Sequence, residues 1–207
     1  EHRLKDAGKS EVVEIIHPKY LDEIKFSFIR QSEPNGLGHA ILKAKHIITD
    51  DFFGIILADD LILSEPGCLK QLLEIHEKTQ SSVLGVFSAS ENQVSNYGVI
   101  SSKNIDGIEK VDGIVEKPKP ADAPSNLAVF GRYILSKDIF LNIEQIKPGL
   151  NNEIQLTDAI QDLISKQDVF ALEFEGRRFD CGSKEGYISA IIDRALSIDK
   201  YKSIIEK

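Results

Sequence analysis

Apolar and polar residues along the chain fall into two periods. Short apolar runs at Lys25–Ile29, Gly54–Ala58 and Ser82–Phe87 predict strands. Between them the apolar residues space out as they do on one face of a helix. Leu37, Ile41, Ala44 and Ile48 predict a helix over Gly36–Ile48, and Leu69, Leu72, Leu73 and His76 predict one over Pro66–Lys78, with Pro66 in its first turn. The strand–helix alternation predicts a parallel sheet covered by helices. Gly54–Ala58 (GIILA) reads as a strand buried on both faces, yet it ends in two adjacent carboxylates, Asp59 and Asp60.

The middle of the chain changes pattern. Tyr97–Ile100, Gly107–Val115 and Leu127–Leu135 read as strands joined by turns, too close together for crossover helices. An antiparallel or mixed section is expected there. Helices are then predicted at Ser136–Ile146, with Ser136 as N-cap, at Thr157–Lys166 and at Lys184–Leu196, and a strand at Val169–Phe174. The Pro-rich stretch 117–126 (KPKPADAPSN) reads as a loop inside one domain, and no internal repeat is present.

Composition narrows the function classes. The 207 residues are 42% hydrophobic and 28% charged, as in a soluble globular protein. A formal charge of −8 argues against nucleic acid as a partner, which needs a basic footprint. No apolar run is long enough for a membrane span, and the charged start EHRLKDAGKS is no secretory signal. Cys68 and Cys181 fit no metal-ligand spacing and read as free thiols in a reducing compartment. The chain opens on Glu1 and has no Met, so residues are expected to precede it.

Four stretches carry candidate chemistry. Asp59 and Asp60 follow a strand, and ligands of parallel α/β sheets collect at that edge. A carboxylate there suits Mg²⁺, a hard cation that takes few protein ligands; a plain turn before Pro66 is the alternative. In QSEPNGLGHA (31–40), Gly36 and Gly38 open a helix whose start favours acceptor groups, and Gln31 offers an amide suited to a base edge. In VEKPKP (115–120), Glu116 and Lys117 adjoin at a strand end with side chains expected on opposite faces. One suits sugar hydroxyls and the other a phosphate; an exposed ion pair is the bland reading. Asp180, in FEGRRFDCGSKEGY (174–187), is a second metal ligand or a helix-start carboxylate. No GxSxG, HExxH or GxxxxGK[ST] stretch occurs, which leaves a hydrolase triad unsupported.

Taken together, QSEPNGLGHA, LADDLI, YGVI, VEKPKPADAPSNLAVFGRY, NNEIQLTDAI and RFDCGSKEGY follow one another in this order over roughly residues 1–198. In this the chain resembles the bacterial UTP–glucose-1-phosphate uridylyltransferases, or UDP-glucose pyrophosphorylases. The resemblance implies a Rossmann-like α/β nucleotidyltransferase fold with a mixed, mostly parallel central sheet flanked by helices. It implies one catalytic domain over residues 1–207 that lacks the N-terminal part of the nucleotide half, since the family's Gly-rich loop is not found before Gln31.

Residue by residue, the resemblance implies that Gln31 and Gly36 contact uracil. Asp59 and Asp180 would hold Mg²⁺, with Asp60 supporting the metal and nucleotide. Gly98 and Glu116 would bind glucose, and Lys117 its phosphate. UTP and glucose 1-phosphate would be the substrates, in a cytoplasmic homo-oligomer (dimer or tetramer). Competing expectations are another nucleotide and sugar phosphate pair, such as one using dTTP, and a non-catalytic sugar-nucleotide binder.

Overall fold

The computed structural model describes residues 2–149 and 152–205. The opening residue of the NNEIQLTDAI stretch lies outside them. The chain divides into two compact units, residues 1–32 and 33–207. The first contains α1 (His2–Asp6), α2 (Ser10–Ile16) and a 3₁₀ turn at Lys19–Glu23. The predicted strand Lys25–Ile29 is instead irregular. Its alternating pattern has no partner strand among the described residues, and Phe28 is 95% exposed. A two-residue period makes a strand only where another strand completes the ladder.

The second unit is built on a six-stranded sheet in the order β1-β6-β3-β7-β5-β4. Its strands are β1 (Phe52–Ile56), β3 (Ser82–Ser88), β4 (Gly98–Ile105), β5 (Ile108–Glu116), β6 (Leu127–Ser136) and β7 (Val169–Glu173). A separate two-stranded sheet pairs β2 (Asp60–Leu63) with β8 (Arg177–Asp180). The helices are α3 (Leu37–Leu42), α4 (Cys68–Thr79), α5 (Ile139–Gln145), α6 (Leu156–Ile164), α7 (Lys184–Leu196) and α8 (Asp199–Ile205).

Alternation along the central strands places the core. On β3, Leu84 and Val86 face the cluster formed with Ile139, Ile143, Ile160 and Leu163 of α5 and α6. Val83 points the other way, to Cys68 and Leu72 of α4, beside Phe130 and Ile134 of β6. Helices therefore cover both faces, and β6 is buried from Ala128 to Ser136 because strands flank it on either side. Both cysteines are free, and burial pushes the Cys68 thiol up to about 11.

The mixed sheet with flanking helices follows the expectation; its mostly parallel pairing does not. Only β3–β7 is a parallel pair among the described strands. The cause is β6, which inserts antiparallel between β1 and β3. The antiparallel middle is as predicted, with β4 and β5 forming a hairpin. The run Gly54–Ala58 is displaced: β1 starts at Phe52, stops at Ile56, and lies at the sheet edge with Ile56 exposed, so it is not buried on both faces. Ser136 ends β6, and Asp138 caps α5 in its place, its N–H donating to the Ser136 hydroxyl at 3.2 Å. Ser183 caps α7 by accepting from the Gly186 N–H at 3.0 Å.

Candidate active site

A cleft of about 330 Å³ opens at one end of this unit. Gly98 begins β4 and Glu116 ends β5, and the two are direct partners in the hairpin. Tyr97 and Lys117 lie just outside that pair, and the Lys117 N–H donates to the Tyr97 carbonyl at 3.0 Å. Thr157, in the first turn of α6, closes this side and donates its hydroxyl to Glu116 Oε2 at 2.6 Å. Asp59, Asp60, Arg178 and Asp180 enter from β2, β8 and the turn before β2.

The adjacent carboxylates part company. Asp60 turns inward as the first residue of β2 and is buried. Its Oδ1 accepts from Arg178 Nε at 2.6 Å, its Oδ2 accepts from the Gly131 N–H at 2.8 Å, and its carbonyl accepts from Arg132 Nη2 at 2.7 Å. Both carboxylate oxygens of Asp60 are thus engaged by the protein. Its charge is balanced by the half-buried Arg178 guanidinium, which is what makes a paired carboxylate tolerable here. Asp59 stays in the exposed turn.

The β2–β8 register sets Asp60 opposite Asp180. The Cys181 N–H donates to the Asp59 carbonyl at 2.7 Å, which draws the two acid-bearing segments together. Gly182 faces both side chains: a Cβ there would stand 3.1 Å from Asp180 Oδ1 and 3.2 Å from Asp59 Oδ2. The two carboxylates thus flank Gly182, whose N–H donates to Asp180 Oδ1 at 3.1 Å. The other Asp180 oxygen, Oδ2, accepts from the Tyr97 hydroxyl at 2.6 Å. Burial raises the Tyr97 phenol above its ordinary range, and the Asp180 contact adds to the rise. Arg178 Nη1 donates to the same hydroxyl at 3.3 Å. Burial works against the Arg178 charge, but the Tyr97 and Asp60 contacts outweigh it and its pKa rises.

The sequence-predicted residues fall into three groups. Asp59, Gly98, Glu116, Lys117 and Asp180 come together in the cleft. Lys117 and Glu116 do not point apart: Lys117 has φ +45°, having left the pleat, and its Nζ lies 3.7 Å from Glu116 Oε1. Gly36 is not among the cleft residues, although Leu37 is. Its φ of +92° and its approach to the Ile154 backbone, which a Cβ would meet at 2.8 Å, give it a packing reason to be glycine. Gln31 belongs to the first unit.

Among the cleft residues that escaped sequence reasoning, Tyr97, Thr157 and Arg178 bond to the cluster of acids. Arg178 had a signal, because it shares a strand face with Asp180 two residues on. Tyr97 precedes Gly98 in the YGVI stretch, and Thr157 or a neighbour is the expected cap of its helix, a position that Gln155 takes.

Comparison with known proteins defines the class first: the family described as nucleotidyl transferase matches residues 4–195. The chain belongs to this family and, within it, to the UTP–glucose-1-phosphate uridylyltransferases. It is 44% identical over 193 residues to the UTP–glucose-1-phosphate uridylyltransferase of Pseudomonas aeruginosa, spanning 92% of this chain and 69% of that protein. A crystal structure of UDP-glucose pyrophosphorylase complexed with UDP-glucose superposes with a TM-score of 0.86 at 41% identity, covering 92% of this chain and 73% of that one. A UTP-bound UGPase from Acinetobacter baumannii gives 0.86 at 32% identity, covering 100% and 74%.

Proposed function

We propose that this chain transfers the uridylyl group of UTP to glucose 1-phosphate, giving UDP-glucose and pyrophosphate. The observation that carries the reading is that Asp59 and Asp180, which flank Gly182, line the same cleft as Glu116 and Lys117. A phosphate oxygen of glucose 1-phosphate attacks the α-phosphorus of UTP, and the bond to pyrophosphate breaks. The nucleophile is already an anion, so no general base is required. What opposes reaction is repulsion between anionic phosphates and the demand for in-line approach, which positioning and cationic charge relieve.

The side chains divide that work. The Lys117 ammonium holds the sugar phosphate. Glu116 accepts from glucose hydroxyls, with one oxygen already oriented by Thr157. Gly98 brings its backbone up to the sugar. Gln31 and Gly36 are assigned to uracil, and Asp60 supports the site from beneath through Arg178.

A divalent cation fits the donor set. Asp59 Oδ2 and Asp180 Oδ1 both lie beside Gly182 in the cleft. Two carboxylates suit Mg²⁺, which takes few protein ligands and completes its shell with substrate phosphates and water. Held by Asp59 and Asp180, Mg²⁺ would supply positive charge against the phosphates. The proposal extends to a cytoplasmic homo-oligomer, for which α7 offers an exposed apolar face of Tyr187, Ile188, Ile191 and Ile192.

Pyrophosphate release by the 207-residue chain, measured with UTP and glucose 1-phosphate in Mg²⁺, tests the reading. Release with UTP well above that with dTTP is expected. Preference for dTTP would overturn the nucleotide assignment. Calorimetric binding of UDP-glucose without turnover would make the chain a binder and not an enzyme.

A further inference from the structure

Arg178 is more elaborately held than an ion pair requires. Its side chain is 11% exposed, and its guanidinium carbon lies 4.5 Å from the Phe87 ring centroid and 4.9 Å from that of Tyr97. Nε is bound to Asp60 at 2.6 Å, and Asp60 is bound in turn to the β6 backbone at Gly131. This anchors the guanidinium to the central sheet. One edge remains for the Tyr97 hydroxyl, which is reached by Nη1 at 3.3 Å. A hydroxyl that accepts from a guanidinium is left to donate elsewhere, and it donates to Asp180 Oδ2 at 2.6 Å. The Tyr97 ring is fixed independently, edge-on to Phe87 at 5.2 Å and 89°.

The consequence falls on the Asp180 rotamer. A free aspartate can turn either oxygen toward a ligand. Here Oδ2 is held by the Tyr97 hydroxyl, and Oδ1, which accepts from the Gly182 N–H at 3.1 Å, is the oxygen on the Asp59 side. We propose that Tyr97, clamped by Arg178, is a positioning residue that presents Asp180 Oδ1 to the divalent cation. The inference rests on the nucleotidyl-transfer reading and adds a part to it. Groups that orient metal-binding carboxylates typically change metal affinity about 10–100-fold when removed.

The test uses Mn²⁺ as a probe, its binding to the full chain followed by electron paramagnetic resonance in the presence of UTP. Tyr97→Phe keeps the ring stack and removes only the hydroxyl. About tenfold weaker Mn²⁺ binding is expected, the low end of that range. Arg178→Lys, which keeps a positive charge beside Asp60 but loses the planar fork, should weaken Mn²⁺ in the same direction. In an Asp180→Asn background, Tyr97→Phe should change Mn²⁺ affinity by less than about twofold, because a hydroxyl acting through Asp180 has nothing left to orient.

Mn²⁺ affinity within about twofold of wild type for Tyr97→Phe alone would overturn the proposal. So would an undiminished tenfold loss in the Asp180→Asn background, which would mark a general structural role. If the unsubstituted chain binds no Mn²⁺ with UTP, the metal reading itself fails and the positioning role falls with it.

Discussion

The two walls of the cleft hold their charges differently. On the β2–β8 side, the buried Asp60 is paired with the half-buried Arg178, and Tyr97 and Asp180 are tied to them in one hydrogen-bonded chain. On the β5–α6 side, Glu116 and Lys117 are a loose pair at 3.7 Å, and the Lys117 side chain is 58% exposed. The first wall is organised before any ligand arrives, and a buried chain of this kind resists rearrangement. The second can swing toward a substrate with little to break, since exposed ion pairs contribute about 0–1 kcal/mol. A transferase benefits from both: a fixed place for the cation and a movable ammonium for the incoming sugar phosphate.

Breaking the fixed wall should cost most. Arg178→Ala leaves Asp60 buried without its cation and should lower stability by about 3–5 kcal/mol in urea unfolding. Lys117→Ala, by contrast, should shift the same transition by no more than about 0.5 kcal/mol. Next in size is Asp59→Asn, which keeps shape and removes charge. Turnover should fall at least about a hundredfold in ample Mg²⁺, and near-normal rates would remove Asp59 from the metal role.

On the movable wall, Lys117→Ala should raise the KM for glucose 1-phosphate about tenfold or more while leaving the KM for UTP unchanged. The opposite split would reassign Lys117 to the nucleotide. The mildest effect concerns Tyr133, which lines the cleft from β6. Burial first, and then the Asp60 charge, raises its folded pKa above the unfolded value of about 10. Below that value the phenol is protonated in both states. Above it the unfolded chain ionises first, so stability should decline as pH rises past about 10. Tyr133→Phe should flatten that decline.

What the sequence made legible follows its physics. Strong apolar runs with long elements were read closely: α7 matches its predicted bounds Lys184–Leu196, and β3 and β7 fall within a residue. The short strands β2 and β8 were not read. Arg177–Asp180 is mostly charged, and it becomes a strand only because β2 lies beside it. Asp59, Glu116 and Lys117 were legible as candidate chemistry because each lies at the end of a strand-like run, and Asp180 because it stands just before a helix start. The fate of Asp60 was not, since its partner Arg178 stands 118 residues away and no local pattern links them. Gly36 shows the converse case, a glycine that a ligand-binding turn and a tight backbone crossing explain equally from sequence, and that the crossing at Ile154 accounts for in the fold.

Crystals of the chain soaked in Mn²⁺ and UTP, with anomalous scattering used to locate the ion, probe the convergence of Asp59 and Asp180 without recourse to rates. The expected result is one strong peak touching a carboxylate oxygen of each residue, beside Gly182 and against the nucleotide phosphates. A peak bound elsewhere in the cleft, or at one of the two acids without the other, would contradict a cation shared between them.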